Sequence, residues 1–356
     1  MKITLDARMY NFSGIGRYIK FLLSFLPEFF DLELLAYYGE IKGHKVIPMK
    51  SRIYSPLEQL ELKEKVNKTD IFWTPHFNVP IFSIPAKYRI ATIHDVCHLT
   101  EYSDLSILKK EYARFLYKMA ISKSDIVFTV SNFTRKELID KLKLNKKNES
   151  KIKVVYEAFE MNLSQEGVKN LPTDYILYVG NIKRHKNIKG LLEAFSIVFK
   201  DYPGIYLMLV GKKDNFISGN LNIEKVLEEK GISSNVLFTG IVTDEELISI
   251  YRNAKFLVLP SFYEGFGLPP LEAMANNCPV ILSEIEVFRE IYNDSAIYCD
   301  PHNPMDIAKK IIFCLENKEI VENLKLKGKE KIEKFSKDRI KENYIKYLKS
   351  LSEAAS

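Results

Sequence analysis

Residues 256–273 read Phe256-Leu257-Val258-Leu259-Pro260-Ser261-Phe262-Tyr263-Glu264-Gly265-Phe266-Gly267-Leu268-Pro269-Pro270-Leu271-Glu272-Ala273. Phe256–Leu259 has the length and composition of a buried strand. Gly265 and Gly267 then permit a tight turn in which backbone amides approach a ligand with no Cβ in the way. Pro269 and Pro270 suit the first turn of a helix, where an amide hydrogen would lack a partner anyway. The stretch is therefore a strand–turn–helix unit, with a helix predicted over Pro269–Ala275. Its helix N-terminus would present amides and partial positive charge to an anion.

The same alternation extends outward in both directions. In the second half, strands are predicted at Tyr175–Val179, Ile205–Val210, Val236–Thr239, Val280–Leu282 and Ala296–Tyr298. Helices are predicted at Ile188–Lys200, Asp244–Asn253, Pro304–Asn317, Ile320–Lys334 and Lys337–Leu351. In the first half, apolar runs of strand character occur at Lys2–Asp6, Leu32–Tyr37, Ile71–Trp73, Arg89–Ile93, Ile126–Ser131 and Ile152–Tyr156. Helical periodicity covers Ile15–Phe25, Leu105–Ile121 and Phe133–Leu142, the last with Ser131 as N-cap. Two series of strand–helix units mean an α/β protein of two Rossmann-like doubly wound domains. The polar stretch Leu163–Asp174 is the best linker. The expected division is 1–165, 166–335, and a closing helix over 336–356 that packs back on the first domain. Ligands of open parallel sheets sit beyond the carboxyl ends of the strands, so a cleft faced by both domains is the expected site.

The chain has 356 residues, 46% hydrophobic and 28% charged, with Gly 15 and Pro 14. This is long enough for two cores and excludes a disordered chain, a collagen and a disulfide-built miniprotein. The apolar run Phe21–Phe30 is broken by Pro27 and Glu28, too short to span a bilayer. Met1–Asp6 reads as a first strand, not a targeting segment. Cys97, Cys278, Cys299 and Cys314 form no Cys-x-x-Cys pair, which fits reduced thiols in the cytoplasm. The formal charge of +6 is uneven: residues 1–160 carry 26 Lys+Arg against 19 Asp+Glu, a net of +7, and the remainder −1. A basic first half fits an anionic partner (membrane lipid, phosphorylated substrate or nucleic acid) or a solvated Lys-rich surface. The aromatic stretches Tyr18–Phe30 and Tyr112–Lys123 are candidates for lipid contact, or for faces that cover the sheet.

Four segments carry chemistry. Glu264 and Glu272, eight positions apart around the glycine turn, suit recognition of sugar hydroxyls, since each carboxylate accepts several hydrogen bonds. They also read as a solvated turn residue and a first-turn glutamate favoured by the helix dipole. Lys183-Arg184-His185-Lys186 follows the strand Tyr175–Val179 and could neutralise a diphosphate, or be a solvated basic loop. Ser13-Gly14-Ile15-Gly16-Arg17-Tyr18 resembles half of a phosphate-binding fingerprint, with Ile19 in the third glycine's place, so dinucleotide binding is not supported. His94-Asp95-Val96-Cys97-His98 follows a strand. It could suggest a metal, but no second ligand cluster accompanies it, and a histidine lining the cleft or packed in place fits as well.

In their order and spacing these segments resemble the retaining glycosyltransferases of family 4, the group 1 transferases with the GT-B fold, over nearly the whole chain. Glu264-x7-Glu272 within Glu-Gly-Phe-Gly-Leu-Pro-Pro-Leu-Glu-Ala is that family's hallmark. The Gly-Ile-Gly-Arg-Tyr start and the His94-Asp95 pair look like the bacterial subgroup with mannosyltransferases of surface-polysaccharide assembly, lipopolysaccharide included. The resemblance implies roles. Glu264, Lys186 and His94 would be the catalytic set: Glu264 on donor-sugar hydroxyls, Lys186 on the departing diphosphate, His94 beside the reacting carbon. The donor would be held by Gly14, Gly16, Arg184, Gly265, Phe266, Gly267, Leu268, Glu272 and Val242. Glu272 would take the ribose hydroxyls, and the base would lie near Gly240–Val242. The first domain would be the acceptor side and the second the nucleotide-sugar side.

The resemblance further implies a nucleotide sugar such as GDP-mannose as co-substrate, no metal or other cofactor, and a glycan or lipid-linked acceptor. The basic first half, apart from the resemblance, gives the expectation of peripheral contact with an anionic membrane, and no nucleic-acid partner is expected. The family's Arg-Lys pair reads His185-Lys186 here, with Arg184 one place earlier. Tyr156-Glu157-Ala158-Phe159 stands where Pro-Asn-Gly is usual. Two other functions compete. A nucleotide-sugar epimerase would need an acid–base pair beyond the two glutamates. A nucleic-acid-binding protein would need an aromatic-interleaved basic strand, and none is present.

Overall fold

The computed structural model describes residues 1–159, 171–211 and 223–353. The predicted linker Leu163–Asp174 and the boundary at 165 lie largely outside these. The chain divides into two compact units: residues 1–99, 105–158 and 337–356 form one, residues 100–104 and 159–336 the other.

The first unit is built on strands β1 (Lys2–Asp6), β2 (Asp31–Tyr37), β3 (Lys45–Met49), β4 (Thr69–Thr74), β5 (Ala86–Ile93), β6 (Ile126–Thr129) and β7 (Ile152–Val154). They form one sheet in the order β3-β2-β1-β4-β5-β6-β7, every neighbouring pair parallel. The second unit's sheet uses β8 (Tyr175–Val179), β9 (Tyr206–Val210), β10 (Val236–Gly240), β11 (Phe256–Leu259), β12 (Val280–Ser283) and β13 (Ile297–Cys299). Its order is β10-β9-β8-β11-β12-β13, again all parallel. Both sheets reverse their winding once, between β1 and β4 and between β8 and β11. Loops leaving those strands flank the crevice where open α/β sheets take ligands.

The central strands are apolar on both faces because helices cover both: every residue of β8 and β11 is buried. The edge strand β3 escaped prediction because Pro48 and half-buried neighbours break its pattern; at an edge, proline forfeits no ladder bond. The helices Pro56–Lys65, Ile223–Lys230 and Glu286–Tyr292 were also missed.

Two expectations about the first half change. The predicted helix Ile15–Phe25 is Ser13–Leu23, followed by a single turn at Leu26–Phe29. Of the lipid-contact candidates in Tyr18–Phe30, Tyr18, Phe21 and Phe25 lie instead in the first unit's core. That core also takes Ile340, Tyr344 and Leu348 from the last helix, Lys337–Glu353. Tyr344 packs against Phe25, Trp73 and Phe128 and accepts a hydrogen bond from Tyr18 Oη at 3.0 Å.

Candidate active site

In the second unit the basic turn and the glycine turn meet at the winding reversal. They follow β8 and β11, which are adjacent in the sheet. Residues Arg184–Lys186 form one 3-10 turn. Asn187, at φ 54°, caps the helix Ile188–Asp201 by accepting from the Gly190 amide, and its Nδ2 donates to the Pro301 carbonyl at 2.7 Å. The Phe262 amide donates to the His185 carbonyl at 2.7 Å and ties the two turns together. Lys186 Nζ then donates to both oxygens of Glu264, each at 2.6 Å. Ser261 Oγ donates to Glu264 Oε1 at 2.8 Å. The turns 183–186 and 264–272 thus meet inside one unit, not across a cleft faced by both domains. Glu264 is buried, 7% exposed, so it is not the solvated turn residue. Arg184 and Lys183 are exposed, while His185 and Lys186 are half-buried.

Gly267 sits at φ 89° as N-cap of the helix Leu268–Ala275, and a Cβ there would lie 2.7 Å from the Phe288 ring. Tyr292 Oη donates to the Gly267 carbonyl. Pro269 and Pro270 occupy the first turn as expected, with a consequence for anion binding. They carry no N–H, so of the first three helical positions only Leu268 has an amide to offer. Gly265 and Phe266 are buried, and the Phe266 ring packs edge-on against Phe335. Glu272 is the fifth residue of the helix, not a first-turn glutamate. It is buried and accepts from Tyr251 Oη at 2.9 Å. Val242, half-buried, precedes the capping-box helix Asp244–Asn253 at the carboxyl end of β10. Burial and the Glu264 charge push the Tyr178 phenol well above its ordinary pKa.

In the first unit His94 closes the exit of β5. Its Nδ1 is 2.8 Å from Glu157 Oε1 and its Nε2 is 3.0 Å from the Pro75 carbonyl oxygen. Tyr18 meets the ring edge-on at 4.8 Å. His98 Nδ1 lies 3.2 Å from Tyr117 Oη. Gly14 is exposed on the helix after β1. Gly16 is buried, where a Cβ would collide with the Tyr10 carbonyl oxygen.

Sequence reasoning missed a buried charge network beside β1. Arg8 Nε donates to Asp6 Oδ1 at 2.8 Å, and Arg8 Nη2 sits 2.6 Å from Asp6 Oδ2 and 2.7 Å from Glu58 Oε1. Asn78 Nδ2 donates to Glu58 Oε2 at 2.7 Å. His76 Nδ1 accepts from the Asn78 amide, and its Nε2 is 3.4 Å from Asp6 Oδ2. Burial opposes the Asp6 charge, yet the Arg8 guanidinium, with His76, holds the carboxyl well below the usual range. The signal available was Asp6-x-Arg8 at a strand exit. Ser261 stands three residues before Glu264 in the same loop, whereas Tyr251, which holds Glu272 from 21 residues away, carried no local signal.

Residues 160–331 match the family described as glycosyl transferases group 1. The chain is 31% identical over 260 residues to the O-antigen chain mannosyltransferase RfbU of Salmonella typhimurium, covering 73% of this chain and 69% of that one. The chain belongs to the group 1 glycosyl transferases. It is also 28% identical to O-antigen chain mannosyltransferase B of Escherichia coli, over 68% of this chain and 65% of that one. The match to the serotype-specific mannosyltransferase WbdA of Escherichia coli, 28% identical, spans only 33% of that longer protein.

Among solved structures, this glycosyltransferase superposes on sucrose-phosphate synthase from Thermosynechococcus elongatus with TM-score 0.79 at 20% identity over all of both chains. It superposes on Anabaena HepE with TM-score 0.78 at 15% identity, covering 98% of this chain and all of that one. At these identities the likeness establishes the fold, two Rossmann-like parallel-sheet units of the GT-B class.

Proposed function

We propose that this glycosyltransferase is a retaining hexosyltransferase that moves a hexose such as mannose from a nucleotide diphosphate sugar such as GDP-mannose onto a glycan or lipid-linked acceptor in surface-polysaccharide assembly. The observation that carries the reading is the Lys186–Glu264 pair at the winding reversal of the second unit. The names of the mannosyltransferase relatives support the sugar and the pathway class.

Glycosyl transfer develops positive charge on the sugar carbon while negative charge builds on the departing diphosphate. A cation held in place before the reaction favours that state over the bound substrate. Lys186 is such a cation: Glu264 takes two of its three N–H donors, leaving one for a phosphate oxygen. Glu264 Oε1 accepts from Lys186 and Ser261, while Oε2 accepts from Lys186 alone among the described residues and retains capacity for a sugar hydroxyl. Glu272, oriented by Tyr251, would hold the ribose, and the base would lie against Gly240–Val242. In this reading an oxygen of the leaving phosphate deprotonates the acceptor on the same face, which gives retention. No metal takes part, so turnover persists in chelator.

A thermal-shift screen of GDP-, UDP-, dTDP- and ADP-sugars tests the donor. At a hundredfold excess over Kd the right one stabilises the fold by about 2.7 kcal/mol. A product assay with that donor then follows. If no nucleotide sugar raises Tm, the transferase reading of the site is wrong.

The proposal includes a cytoplasmic placement with peripheral contact to the anionic inner face of the membrane. Among the described residues no helix is long and apolar enough to cross a membrane. The helix Ile107–Lys123 supports surface contact: Ile107 and Leu108 are 81% and 84% exposed, and Tyr112 and Phe115 are exposed along the same face. Lys109, Lys118 and Lys123 flank them. The lysines between 141 and 153 contribute unequally. Lys151 Nζ donates to the Ser124 carbonyl at 2.9 Å, and Lys141 pairs with Glu137, whereas Lys143, Lys146 and Lys147 are exposed.

A further inference from the structure

His94 is held at both ring nitrogens by groups that can accept a hydrogen bond. The Pro75 carbonyl at 3.0 Å only accepts, so Nε2 carries a proton. Glu157 Oε1 at 2.8 Å from Nδ1 is a carboxylate oxygen, so a second proton lies between them. The side chains are 16% and 11% exposed, so water competes little for these bonds.

The other groups around the ring do not supply an alternative. Tyr18, from the helix Ser13–Leu23, offers an aromatic edge, and its hydroxyl is spent on Thr92 and on Tyr344 of the last helix. Thr134, from the helix Asn132–Leu142, donates to the His94 carbonyl and not to its ring. Asp95 adds a second negative charge. Burial by itself would lower the His94 pKa. The hydrogen bond and charge of Glu157, the Pro75 carbonyl and Asp95 together outweigh it, and the net shift is upward.

We propose that Glu157 is a positioning residue for the transfer reaction: it clamps His94 as a doubly hydrogen-bonded cation, so that the ring serves as a fixed charge and not as a proton acceptor. This rests on the transferase reading, in which His94 acts at the donor sugar. It gives a role to the segment where the chain departs from the usual Pro-Asn-Gly, since neither an asparagine nor a glycine could charge the ring. It also removes His94 as the base for the acceptor hydroxyl and leaves that proton to the departing phosphate.

The test begins without substrate. In full-length protein labelled with 15N-histidine, the His94 signal, assigned by loss in His94→Gln, should show imidazolium shifts at pH 7.5 and titrate above the ordinary value of 6.5. Glu157→Gln keeps the shape of the side chain but lets the amide donate to a neutral ring. In that variant His94 should be neutral at pH 7.5. The raised pKa stabilises the fold fully below pH 6.5 and the benefit fades as pH rises through the folded value. The Tm gap between wild type and Glu157→Gln should therefore narrow with pH. With the best donor, kcat/KM of the variant should fall about tenfold per pH unit above the lowered pKa, while wild type stays flat there.

A neutral His94 in wild type at pH 7.5, or an unchanged titration in Glu157→Gln, overturns the clamp. A shifted titration with a wild-type pH–rate profile overturns its role in the reaction. Wild-type protein that shows the imidazolium signal but turns over no nucleotide sugar supports the clamp and sinks the transferase reading instead.

Discussion

Glu264 and Lys186 need each other for stability as well as for chemistry. A carboxylate that is 7% exposed is tolerated there because an ammonium and a hydroxyl donate to it. Lys186→Ala leaves that charge buried with Ser261 as its remaining partner, and removing one member of a buried pair is strongly destabilising. We expect Lys186→Ala to lower kcat by about 10²–10³ and to lower Tm as well. Adding Glu264→Gln removes the orphaned charge, so the double variant should melt above Lys186→Ala while remaining as slow. Steady-state kinetics and melting curves on the three variants check this; a double variant that melts no higher would mean the pair is not electrostatically coupled. Both residues were visible in the chain because their chemical type and turn context are local. Glu157 was not, because it draws its meaning from a histidine 63 positions away.

A helix can be amphipathic in more than one sense, and Ile107–Lys123 shows it. Ala113, Leu116, Tyr117, Ala120 and Ile121 face the core, while Leu108, Tyr112 and Phe115 line the opposite side at four- and three-residue spacing. Periodicity located the helix but could not say which stripe the sheet would cover. Burying one leucine side chain is worth about 1.5–3 kcal/mol, so Leu108→Glu should weaken partitioning by about tenfold or more. Sedimentation with vesicles of phosphatidylglycerol and phosphatidylcholine measures it, and equal binding of variant and wild type would rule this helix out as the contact. The turn Gly265–Gly267 shows the opposite case. Its glycines and prolines announce its shape, since only glycine fits φ 89° beside Phe288 and only the first helical turn tolerates two prolines.

Each unit winds its sheet in the same sense, yet they differ in how the core is closed. The first unit takes its last helix from the far end of the chain, with Tyr344 set among Phe25, Trp73 and Phe128. Tyr344→Ala should cost that unit about 3–5 kcal/mol, the range for deleting a buried aromatic ring. Trp73 is the chain's single tryptophan, 5.5 Å from Tyr344, so urea unfolding followed by its fluorescence reports on the first unit. An unchanged midpoint would show that the helix adds nothing to the core. The positions of most strands could be read beforehand because a strand buried on both faces must be apolar throughout, whatever it pairs with. The edge strand β3, bearing Pro48, lacked that signature.

Local chemistry thus announced the α/β class, the doubly wound pattern and the two turns that carry Glu264 and Lys186, since periodicity, glycine and proline act over a few residues. Folding in three dimensions settled pairings that sequence distance hides. Setting β11 beside β8 joins a lysine to a glutamate 78 residues on, and gathering the exits of β4, β5 and β7 around one imidazole gives His94 its two acceptors. A charge's partner and a ring's protonation depend on which strands become neighbours, and no single stretch of chain contains that information.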